Sequence, residues 1–458
     1  MTRLWTTLGL LVLVSTVFGA YPSVYPTGTT IYHPERAWNG YTLHDTPDGR
    51  GVVLIDMNGR VVKRWEGLAT SSGVFRMLPG GYVMGGDRDR PPHQEAQALL
   101  QLDWNGKEVW RFDRTERIKT SEGELKWMAR LHHDWQREGS PAGYFSPLSS
   151  PLIDAGRTLI LAHTNLTRPE IADRRLEDDL ILEVSWKGEI LWKWSASDHV
   201  DELGFSPDAR STLHRSVGWN PRRESADWLH LNAASYVGPN RWYDAGDKRF
   251  HPDHVLWSSR EANIVAIVDR SGAVVWRMGP DYRESDALRA LGQIIGQHNP
   301  HIIPRGLPGE GNLLVFDNGG AAGYGAANPA APSGVGSVRR ASSRVLEINP
   351  VTFENVWEYS VGGAESYRFF SHYVSNAQRL QNGNTMINEG ADGRIFEVTP
   401  DREIVWEYIN PFSSTGTPPT NRVYRAYRIP YDWVPQLSRP QERAVVPPNR
   451  SEFRLEPK

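Results

Sequence analysis

Six histidines form the pattern in this sequence that most suggests chemistry. They belong to a chain of 458 residues with fourteen histidines, and they fall in short phrases that are far apart along it. Imidazole acts as a nucleophile, an acid, a base or a metal ligand near neutral pH. If the fold brings the phrases together, they predict group transfer or metal binding. The six are His132, His133, His230, His298, His301 and His372.

The elements that would position these histidines follow from a phrase that recurs six times. Each copy has an apolar run, a short polar turn and a second apolar run ending in tryptophan, which is the pattern of a β-hairpin. One aromatic residue at a fixed place in every hairpin is typical of radially repeated sheets. We therefore predict an all-β fold, a six-bladed β-propeller. The copies are Val53–Trp65, Leu100–Trp110, Leu182–Trp192, Val265–Trp276, Val345–Trp357 and Ile395–Trp406.

The two ends of the propeller are expected to meet in one blade. The stretch from Tyr41 to Trp65 contains three strands, which is one fewer than a blade needs. The last strand-like stretch, Val423–Pro430, supplies the missing strand and closes the ring without an exposed sheet edge. The segments that follow each hairpin are read as inner strands along the central channel. The histidine phrases belong to these inner strands, in four different blades.

Composition limits the classes of partner. The formal net charge is −3, so no basic field points to nucleic acid or to an anionic membrane. The chain has no cysteine, which excludes disulfides, thiolate nucleophiles and Cys-ligated zinc. The propeller is predicted to span residues 41–430, after an extended lead-in at 21–40. A proline-rich segment at 431–458 is expected to strap along its outside.

Residues 1–20 have the pattern of an export signal. Arg3 precedes a short apolar run from Leu8 to Phe18, and the small residues Gly19 and Ala20 follow. We predict a signal peptide. A retained signal-anchor is the alternative, although the run is shorter than the roughly 18 residues of a membrane span. The protein is therefore expected to be periplasmic or secreted.

Four phrases resemble, in order, those of the bacterial arylsulfotransferase (aryl-sulfate sulfotransferase) family. They are Asp227–Asn232, Gly296–His298, Phe316–Gly319 and Phe369–His372, and the resemblance runs over roughly residues 40 to 430. It implies a PAPS-independent sulfotransferase, which uses no nucleotide sulfate donor, no other cofactor and no metal. It also implies that a sulfuryl group passes from a phenolic sulfate ester to a phenolic acceptor by a ping-pong route through a sulfohistidine.

The resemblance also implies roles for single residues. His372 is expected to be the nucleophile, with His230 and His298 as donors to the sulfuryl oxygens or the phenolic oxygen. Sulfuryl transfer, like phosphoryl transfer, has a loose transition state that needs such donors and an acid for the departing phenolate. The site is expected at the central channel, on the face that carries the long insertions. Substrate-binding roles are predicted for Asn232, His133, Asn318 and Arg340.

One position departs from the family pattern. The family has an arginine four residues beyond Asn318, where this chain has Ala322. Arg339, Arg340 and Arg344 are the candidates to replace that charge.

Two other functions remain open, and this departure favours the first of them. The first is a propeller without sulfotransferase activity, either a module that binds ligands or glycans or a lyase, which retains the channel histidines. The second is a metal-bound propeller that holds an ion with three imidazoles, those of His230, His298 and His372.

Overall fold

The computed structural model describes residues 27–68, 73–87, 95–119, 123–220 and 225–446. The predicted signal peptide at residues 1–20 lies outside the described residues, as do residues 21–26 of the lead-in and 447–458 of the C-terminal segment. The described chain forms mainly antiparallel sheets arranged as a six-bladed β-propeller. The predicted fold class is therefore confirmed.

The blades are numbered 1 to 6 along the chain, with strands A to D lettered from the channel outward. Blade 1 consists of Ala426–Ile429, Tyr41–Asp45, Val52–Ile55 and Val61–Trp65. Blade 2 consists of Arg76–Leu78, Tyr82–Gly86, Leu99–Leu102 and Glu108–Phe112. Blade 3 consists of Leu131–Arg137, Thr158–Leu166, Leu176–Val184 and Ile190–Ser195.

The other three blades follow the same order of strands A to D. Blade 4 consists of Leu231–Tyr236, Val255–Ser259, Ile264–Val268 and Val274–Met278. Blade 5 consists of His298–Ile302, Leu313–Asp317, Arg344–Ile348 and Asn355–Tyr359. Blade 6 consists of Asn376–Arg379, Thr385–Glu389, Arg394–Val398 and Ile404–Ile409.

The chain ends close the ring at two places. Strand A of blade 1 comes from the C-terminal side and pairs antiparallel with strand B, where Tyr41 faces Ile429. This closure confirms the prediction. The N-terminal strand Gly28–Tyr32 adds a fifth strand outside strand D of blade 6, which the sequence analysis did not anticipate. Tyr32 also exchanges backbone hydrogen bonds of 3.0 Å with Val445, so the C-terminal segment covers that added strand.

The six hairpin tryptophans form a girdle around the outside of the ring. Each indole N–H donates to a backbone carbonyl in the turn between strands C and D of the next blade, at 2.8 to 3.1 Å. Trp406 of blade 6 closes the circle on blade 1. The apolar rings pack between blades while their one polar atom is satisfied. The pairs are Trp65 with Asp103, Trp110 with Trp186, Trp192 with Arg270, Trp276 with Pro350, Trp357 with Pro400, and Trp406 with Met57.

Burial follows the position of a strand in its blade. Strand C of blade 4, with the sequence IVAIV, is buried on both faces because neighbouring blades cover it. Strand D of blade 2 buries only Trp110 and Phe112, since its other face meets solvent. This difference explains why the central strands read as continuous apolar runs while the outer strands alternate.

Insertions add short elements between the blades. Two hairpins consist of Glu116–Lys119 with Leu125–Met128 and of Gly320–Tyr324 with Val335–Arg340. Trp219–Asn220 and Ser225–Asp227 extend the sheet of blade 3. The α-helices are Pro207–Ser216, Arg241–Asp244 and Asp286–Leu291. The 3₁₀-helices are Ala196–Leu203, Lys248–Phe250, Gly363–Arg368, Gly390–Asp392 and Tyr431–Trp433. Among the described residues, none of these helices has the length and apolar character of a membrane span.

Candidate active site

The histidines gather where the inner strands are irregular. Strand A carries a register shift in blades 3, 4 and 5. His133, His230 and Asn299 have φ values of 55°, 53° and 51°, in the left-handed region that residues other than glycine rarely adopt. Such strain persists only where the surroundings hold it, and a bulge redirects the side chains of its strand. These bulges place imidazoles at one end of the channel.

His230 is paired with a carboxylate. Its Nδ1 lies 2.6 Å from Oδ2 of Asp227, and both side chains are about one-seventh exposed, at 14%. Because a carboxylate accepts, Nδ1 carries the hydrogen and Nε2 is left to take up or give a proton. His230 is therefore suited to proton transfer.

His298 is held as a neutral ring. Its Nδ1 donates to the carbonyl of Gly296 at 3.0 Å and to Oδ1 of Asn318 at 2.7 Å. Burial, followed by the charge of Arg260, holds the pKa of His298 well below its usual value. A neutral ring with hydrogen on Nδ1 accepts at Nε2. Because Nε2 accepts a hydrogen bond, His298 does not have the donor role expected for it. It is instead suited to orienting an incoming hydroxyl group.

Asn318 links two of the expected catalytic histidines. Its amide nitrogen donates to the carbonyls of Ser371 at 2.6 Å and Val374 at 3.0 Å, while its oxygen accepts from His298. Because Ser371 precedes His372, Asn318 ties the loop of His372 to blade 5. Asn318 is fully buried, so this link is shielded from water. Its position is set by three hydrogen bonds to the protein.

His372 is the exposed imidazole of the group. It packs against Gly320, where an added Cβ would come within 2.9 Å of the His372 carbonyl oxygen, and its ring centre lies 4.4 Å from that of Tyr373. Partial burial and the charge of Arg260 lower the pKa of His372, against an opposing effect of Asp392. His372 therefore presents a neutral, accessible imidazole at neutral pH.

Arg260 brings a positive charge to this site, and it is not among the residues predicted from the sequence. It follows strand B of blade 4 directly, and its backbone N–H donates to the carbonyl of His230 at 3.2 Å. Its guanidinium pairs with Glu261 and lowers the pKa of both His298 and His372. A signal was available, since Asn318 follows strand B of blade 5 in the same way.

The three arginines proposed from the sequence are engaged elsewhere. Nη2 of Arg340 and Nη2 of Arg344 each lie 2.7 Å from Oδ2 of the buried Asp317. Arg340 also donates from Nε to the carbonyl of Ser342 at 2.9 Å. Arg339 donates to a backbone carbonyl of the insertion hairpin at 2.5 Å. These contacts give the arginines structural roles, and substrate binding by Arg340 stays a prediction.

Asn232 and His133 complete the inner wall. The amide nitrogen of Asn232 donates to the carbonyl of Gln297 at 2.7 Å, which braces blade 4 against blade 5. Its Oδ1 is buried and has no hydrogen-bond partner among the described residues. His133 stands nearly perpendicular to His230, with ring centres 4.7 Å apart. Burial, and then the neighbouring His230, keep the pKa of His133 well below its usual value.

His301 differs from the other channel histidines because both of its ring nitrogens are engaged. Nδ1 donates to the carbonyl of Asn299 at 2.9 Å, and Nε2 accepts from the hydroxyl of Tyr144 at 2.9 Å. Burial lowers the pKa of His301 to about 4. We infer that His301 holds the channel wall together.

The insertion hairpin formed by Gly320–Tyr324 and Val335–Arg340 lies beside the site. Gly320 contacts His372 at one end of its first strand, and the hydroxyl of Tyr324 donates to the carbonyl of Trp228 at 2.5 Å at the other. Thr212 of helix Pro207–Ser216 donates to the carbonyl of Gly325 at 2.7 Å. The hairpin therefore runs from the loop of His372 to the phrase that carries His230, and helix Pro207–Ser216 supports it.

The three-imidazole metal site has no support in this geometry. In the part of the chain that the structure describes, His230, His298 and His372 do not share a group of ligand atoms close enough for one ion. Nδ1 of His230 and Nδ1 of His298 are already donating to protein acceptors.

Comparison with known proteins gives one informative match. A family model described as "Arylsulfotransferase (ASST)" matches residues 149–407, which is more than half of the 458 residues. That range contains His230, Asn232, His298, Asn318 and His372. No curated protein matches the sequence significantly.

Solved structures resemble the chain only at the level of fold. A protein of unknown function from Bacteroides caccae is 12% identical, with a TM-score of 0.42, and the match covers 86% of this chain and 99% of the other. A virginiamycin B lyase from Staphylococcus aureus is 11% identical, with a TM-score of 0.32, and the match covers 75% and 71%. Neither similarity bears on function.

Proposed function

The chain belongs to the arylsulfotransferase family, and we propose that it moves sulfuryl groups from phenolic sulfate esters to phenols through a sulfated histidine. Family membership supports a sulfotransferase that uses no nucleotide sulfate donor. The observation that carries the mechanism is the neutral, accessible His372, which Asn318 links to the oriented ring of His298.

The first half-reaction sulfates His372. The unprotonated ring nitrogen of His372 attacks sulfur, and the bond from sulfur to the phenolic oxygen breaks. The departing phenolate takes a proton from Nε2 of His230, which enters this step protonated on both ring nitrogens and donates from Nδ1 to Asp227. The products are a phenol, a neutral His230 and an N-sulfated His372. General acid catalysis of this kind typically contributes about 10² to 10⁴ in rate.

The second half-reaction reverses these roles. The acceptor phenol gives its proton to Nε2 of His230 while its oxygen attacks sulfur, and the bond from sulfur to His372 breaks. Neutral His298 accepts a hydrogen bond from the incoming hydroxyl and orients it. His372 is released neutral and His230 is again an imidazolium, so the enzyme is ready for another donor.

Arg260 supplies the positive charge that the transition state requires. Its charge already acts on both His298 and His372, which flank the position of the sulfuryl group in this mechanism. In this proposal Arg260 replaces the family arginine that is missing at Ala322. The oxygen of Asn232 and the ring of His133 line the same wall and contact the phenol.

Export of the protein is a separate proposal. It rests on the n-region and apolar run of residues 1–20, which predict delivery to the periplasm or the medium. Fractionation of cells that produce the full chain, with N-terminal sequencing of the product, would test it. Recovery of an uncut chain from the cytoplasm would reject it.

Steady-state kinetics test the proposed activity. Purified full-length protein is incubated with 4-nitrophenyl sulfate and a second phenol, without any nucleotide. The ping-pong route predicts parallel double-reciprocal lines when the donor is varied at several acceptor concentrations. We expect His372→Ala to lose about 10³-fold or more in rate, while His301→Gln serves as the matched buried-histidine control. No nitrophenol release by folded wild type from several aryl sulfates would favour the binding module or lyase instead.

A further inference from the structure

Behind the channel wall, blade 3 buries a positively charged imidazole among carboxylates. Nδ1 of His163 lies 3.1 Å from Oε1 of Glu95 and 3.3 Å from Oε1 of Glu177, and its Nε2 lies 3.6 Å from Oδ1 of Asp179. Burial opposes the charge of His163, but these carboxylates raise its pKa to about 9. Both ring nitrogens of His163 therefore carry hydrogen at neutral pH, and Asp179 faces one of them.

The ring of His132 lies flat on the ring of His163. Their centres are 3.6 Å apart and their planes differ by 11°. Both side chains are at most 1% exposed. Burial, followed by the charge of His163, holds the pKa of His132 well below its usual value. His132 is therefore neutral and carries one ring hydrogen, either on Nδ1 or on Nε2.

The carboxylate of Asp179 determines which nitrogen of His132 carries that hydrogen. Nε2 of His132 lies 3.4 Å from Oδ1 of Asp179 and has no hydrogen-bond partner among the described residues. This separation exceeds an ordinary N–H···O hydrogen bond of about 2.7 to 3.2 Å. The buried charge still acts at that distance, because it attracts a ring N–H and repels a bare lone pair. Oδ1 also accepts from the backbone N–H of Leu231 at 3.1 Å, so N–H groups converge on it. The hydrogen of His132 therefore lies on Nε2.

A hydrogen bond between His132 and His133 extends this tautomer choice to the channel wall. Nδ1 of His132 lies 2.8 Å from Nδ1 of His133. One of the two nitrogens must donate and the other must accept. Because His132 has its hydrogen on Nε2, its Nδ1 accepts and Nδ1 of His133 donates. Since burial keeps His133 neutral as well, its Nε2 is left as a bare acceptor.

His133 forms part of the wall of the candidate active site. Its ring stands nearly perpendicular to that of His230, with centres 4.7 Å apart, and it is 7% exposed whereas His132 is fully buried. Among the described residues, the bond from Nδ1 is the one hydrogen bond that this ring makes. The lone pair on Nε2 is therefore available to a molecule in the channel. It accepts a hydrogen bond from a hydroxyl group and repels an oxygen that carries negative charge.

We propose that Asp179 and His132 are positioning residues, which hold His133 in the tautomer whose bare Nε2 accepts a hydrogen bond from the hydroxyl of an acceptor phenol. The contact with the phenol rests on the proposed function, whereas the tautomer does not. The contact precedes the transfer of that proton to His230. It is made only in the second half-reaction, since the phenolic oxygen of a sulfate ester carries no hydrogen. Like the bare nitrogen of His298, it favours a neutral phenol over a phenolate.

Nitrogen NMR of the full-length protein tests the tautomers without an activity assay. The histidine rings are labelled with ¹⁵N, and long-range ¹H–¹⁵N spectra distinguish a ring nitrogen that carries hydrogen from a bare one. Spectra are recorded at pH 8, above the value of about 7 to which burial raises the pKa of Asp179. We expect hydrogen on Nε2 of His132 and on Nδ1 of His133, and each signal is assigned by its loss in His132→Gln or His133→Gln. The opposite pair of tautomers in folded wild type would overturn the proposal.

Asp179→Asn should reverse both tautomers while keeping the size of the side chain. Its amide donates to Nε2 of His132, so the hydrogens move to Nδ1 of His132 and to Nε2 of His133. The same change in a Ser-His-Asp triad leaves the geometry intact and imposes the wrong histidine tautomer. Asp178→Asn is the matched control, because the buried carboxylate of Asp178 accepts from the hydroxyl of Ser195 instead. Unchanged histidine signals in folded Asp179→Asn would contradict the assignment.

Kinetics of the two half-reactions test what the tautomer does. We expect Asp179→Asn to raise KM for the acceptor phenol about 10-fold, the order of one lost hydrogen bond, with kcat nearly unchanged. Single-turnover release of nitrophenol from 4-nitrophenyl sulfate without acceptor should stay at the wild-type rate, and Asp178→Asn should change neither quantity. A wild-type acceptor KM in a variant with reversed tautomers would overturn the role of His133. No nitrophenol release by wild type would instead reject the proposed function and the phenol contact, while the tautomers are decided by NMR.

Discussion

The outer girdle and the inner end of the channel follow opposite rules. In the girdle, one tryptophan per blade makes the same hydrogen bond to the next blade, and the pattern repeats around the whole ring. At the channel, each inner strand differs from the others and three of them are bulged. The repeated tryptophan contacts stabilise the packing of one blade against the next. Where the inner strands depart from the repeat, we infer that their side chains serve binding or catalysis.

The same contrast holds for polar atoms. Every girdle indole has its acceptor, while at the channel the side-chain oxygens of Asn232, Gln297 and Asn299 are buried without a partner among the described residues. Buried polar atoms in native proteins are nearly always satisfied. Unsatisfied acceptors at the end of a channel are therefore expected to bind a ligand. The variants below test whether the girdle contributes to stability and the channel to activity.

The largest effect is expected from Asp227→Asn, which removes the carboxylate that accepts from Nδ1 of His230 and fixes its tautomer. We expect the rate to fall by about 10² to 10⁴, with little change in the melting temperature. The loss should be greatest for donors with poor phenolate leaving groups and smaller for acidic phenols, which need less protonation. An equal loss across a series of substituted aryl sulfates would show that His230 is not the acid.

The next effect is expected from Arg260→Gln, with Arg270→Gln as its girdle control. Arg270 pairs with Glu183 at 3.0 Å and stacks on Trp192. Removing a preorganised charge from the transition state typically costs about 10² to 10³ in rate, and we expect this loss only for Arg260→Gln. A larger loss in Arg340→Gln would instead confirm the sequence prediction that Arg340 binds substrate.

Arg260→Gln should also move the pH profile of the rate. Arg260 contributes to the lowered pKa of His372, which must be neutral to attack. Without that charge the pKa rises, so a larger fraction of His372 is protonated at a given acidic pH. The acidic limb of the profile should therefore shift to higher pH. A limb that stays in place or moves to lower pH would contradict this assignment.

A smaller effect, on stability alone, is expected in the girdle. Trp406 is fully buried and Trp357 is half-buried, although both make the same hydrogen bond at 2.8 Å. Trp406→Phe leaves the Met57 carbonyl unpaired in a buried place and should lower the free energy of unfolding by about 2 to 3 kcal/mol. Trp357→Phe should cost less than about 1 kcal/mol. Chemical denaturation measures both free energies of unfolding. A loss of activity per folded molecule in either variant would contradict the purely structural role of the girdle.

The smallest effect concerns stability against pH. Burial lowers the pKa of His301, and that of His44 in blade 1, to about 4. Between the unfolded value of about 6.5 and pH 4 the unfolded chain binds more protons, so stability falls as pH decreases through this range. Each histidine adds about 1.4 kcal/mol per pH unit to that slope. His301→Gln should flatten the slope by this amount, and an unchanged slope would reject the account.

Much of the girdle was predictable from sequence because its chemistry is repeated. The six hairpins that end in tryptophan predict the six blades. The strand-like stretch Val423–Pro430 predicts that the chain ends meet and close the ring. The channel phrases placed His230, His298 and His372 on inner strands or their approaches. The extra strand at Gly28–Tyr32 was not foreseen, because it pairs with a partner almost 400 residues away.

The parts of the site that were missed depend on contacts between blades or strands. Arg260 lies in a turn whose sequence has no distinctive pattern. Only the fold shows that its charge lowers the pKa of His298 and of His372. His163 and Asp179 lie on strands B and C of blade 3, where His163 follows an apolar run and Asp179 ends an acidic one. Their meeting follows from strand register, which the sequence pattern does not specify well enough.

One measurement tests the central claim most directly, that the irregular channel end performs covalent transfer. Intact mass is recorded after brief mixing of the purified full-length protein with an aryl sulfate in the absence of acceptor, for wild type and His372→Ala. We predict that wild type gains one sulfuryl group, with release of one phenol, and that peptide mapping places the group on His372. Phenol release without any adduct, or an adduct that persists in His372→Ala, would contradict the assignment of His372 as nucleophile.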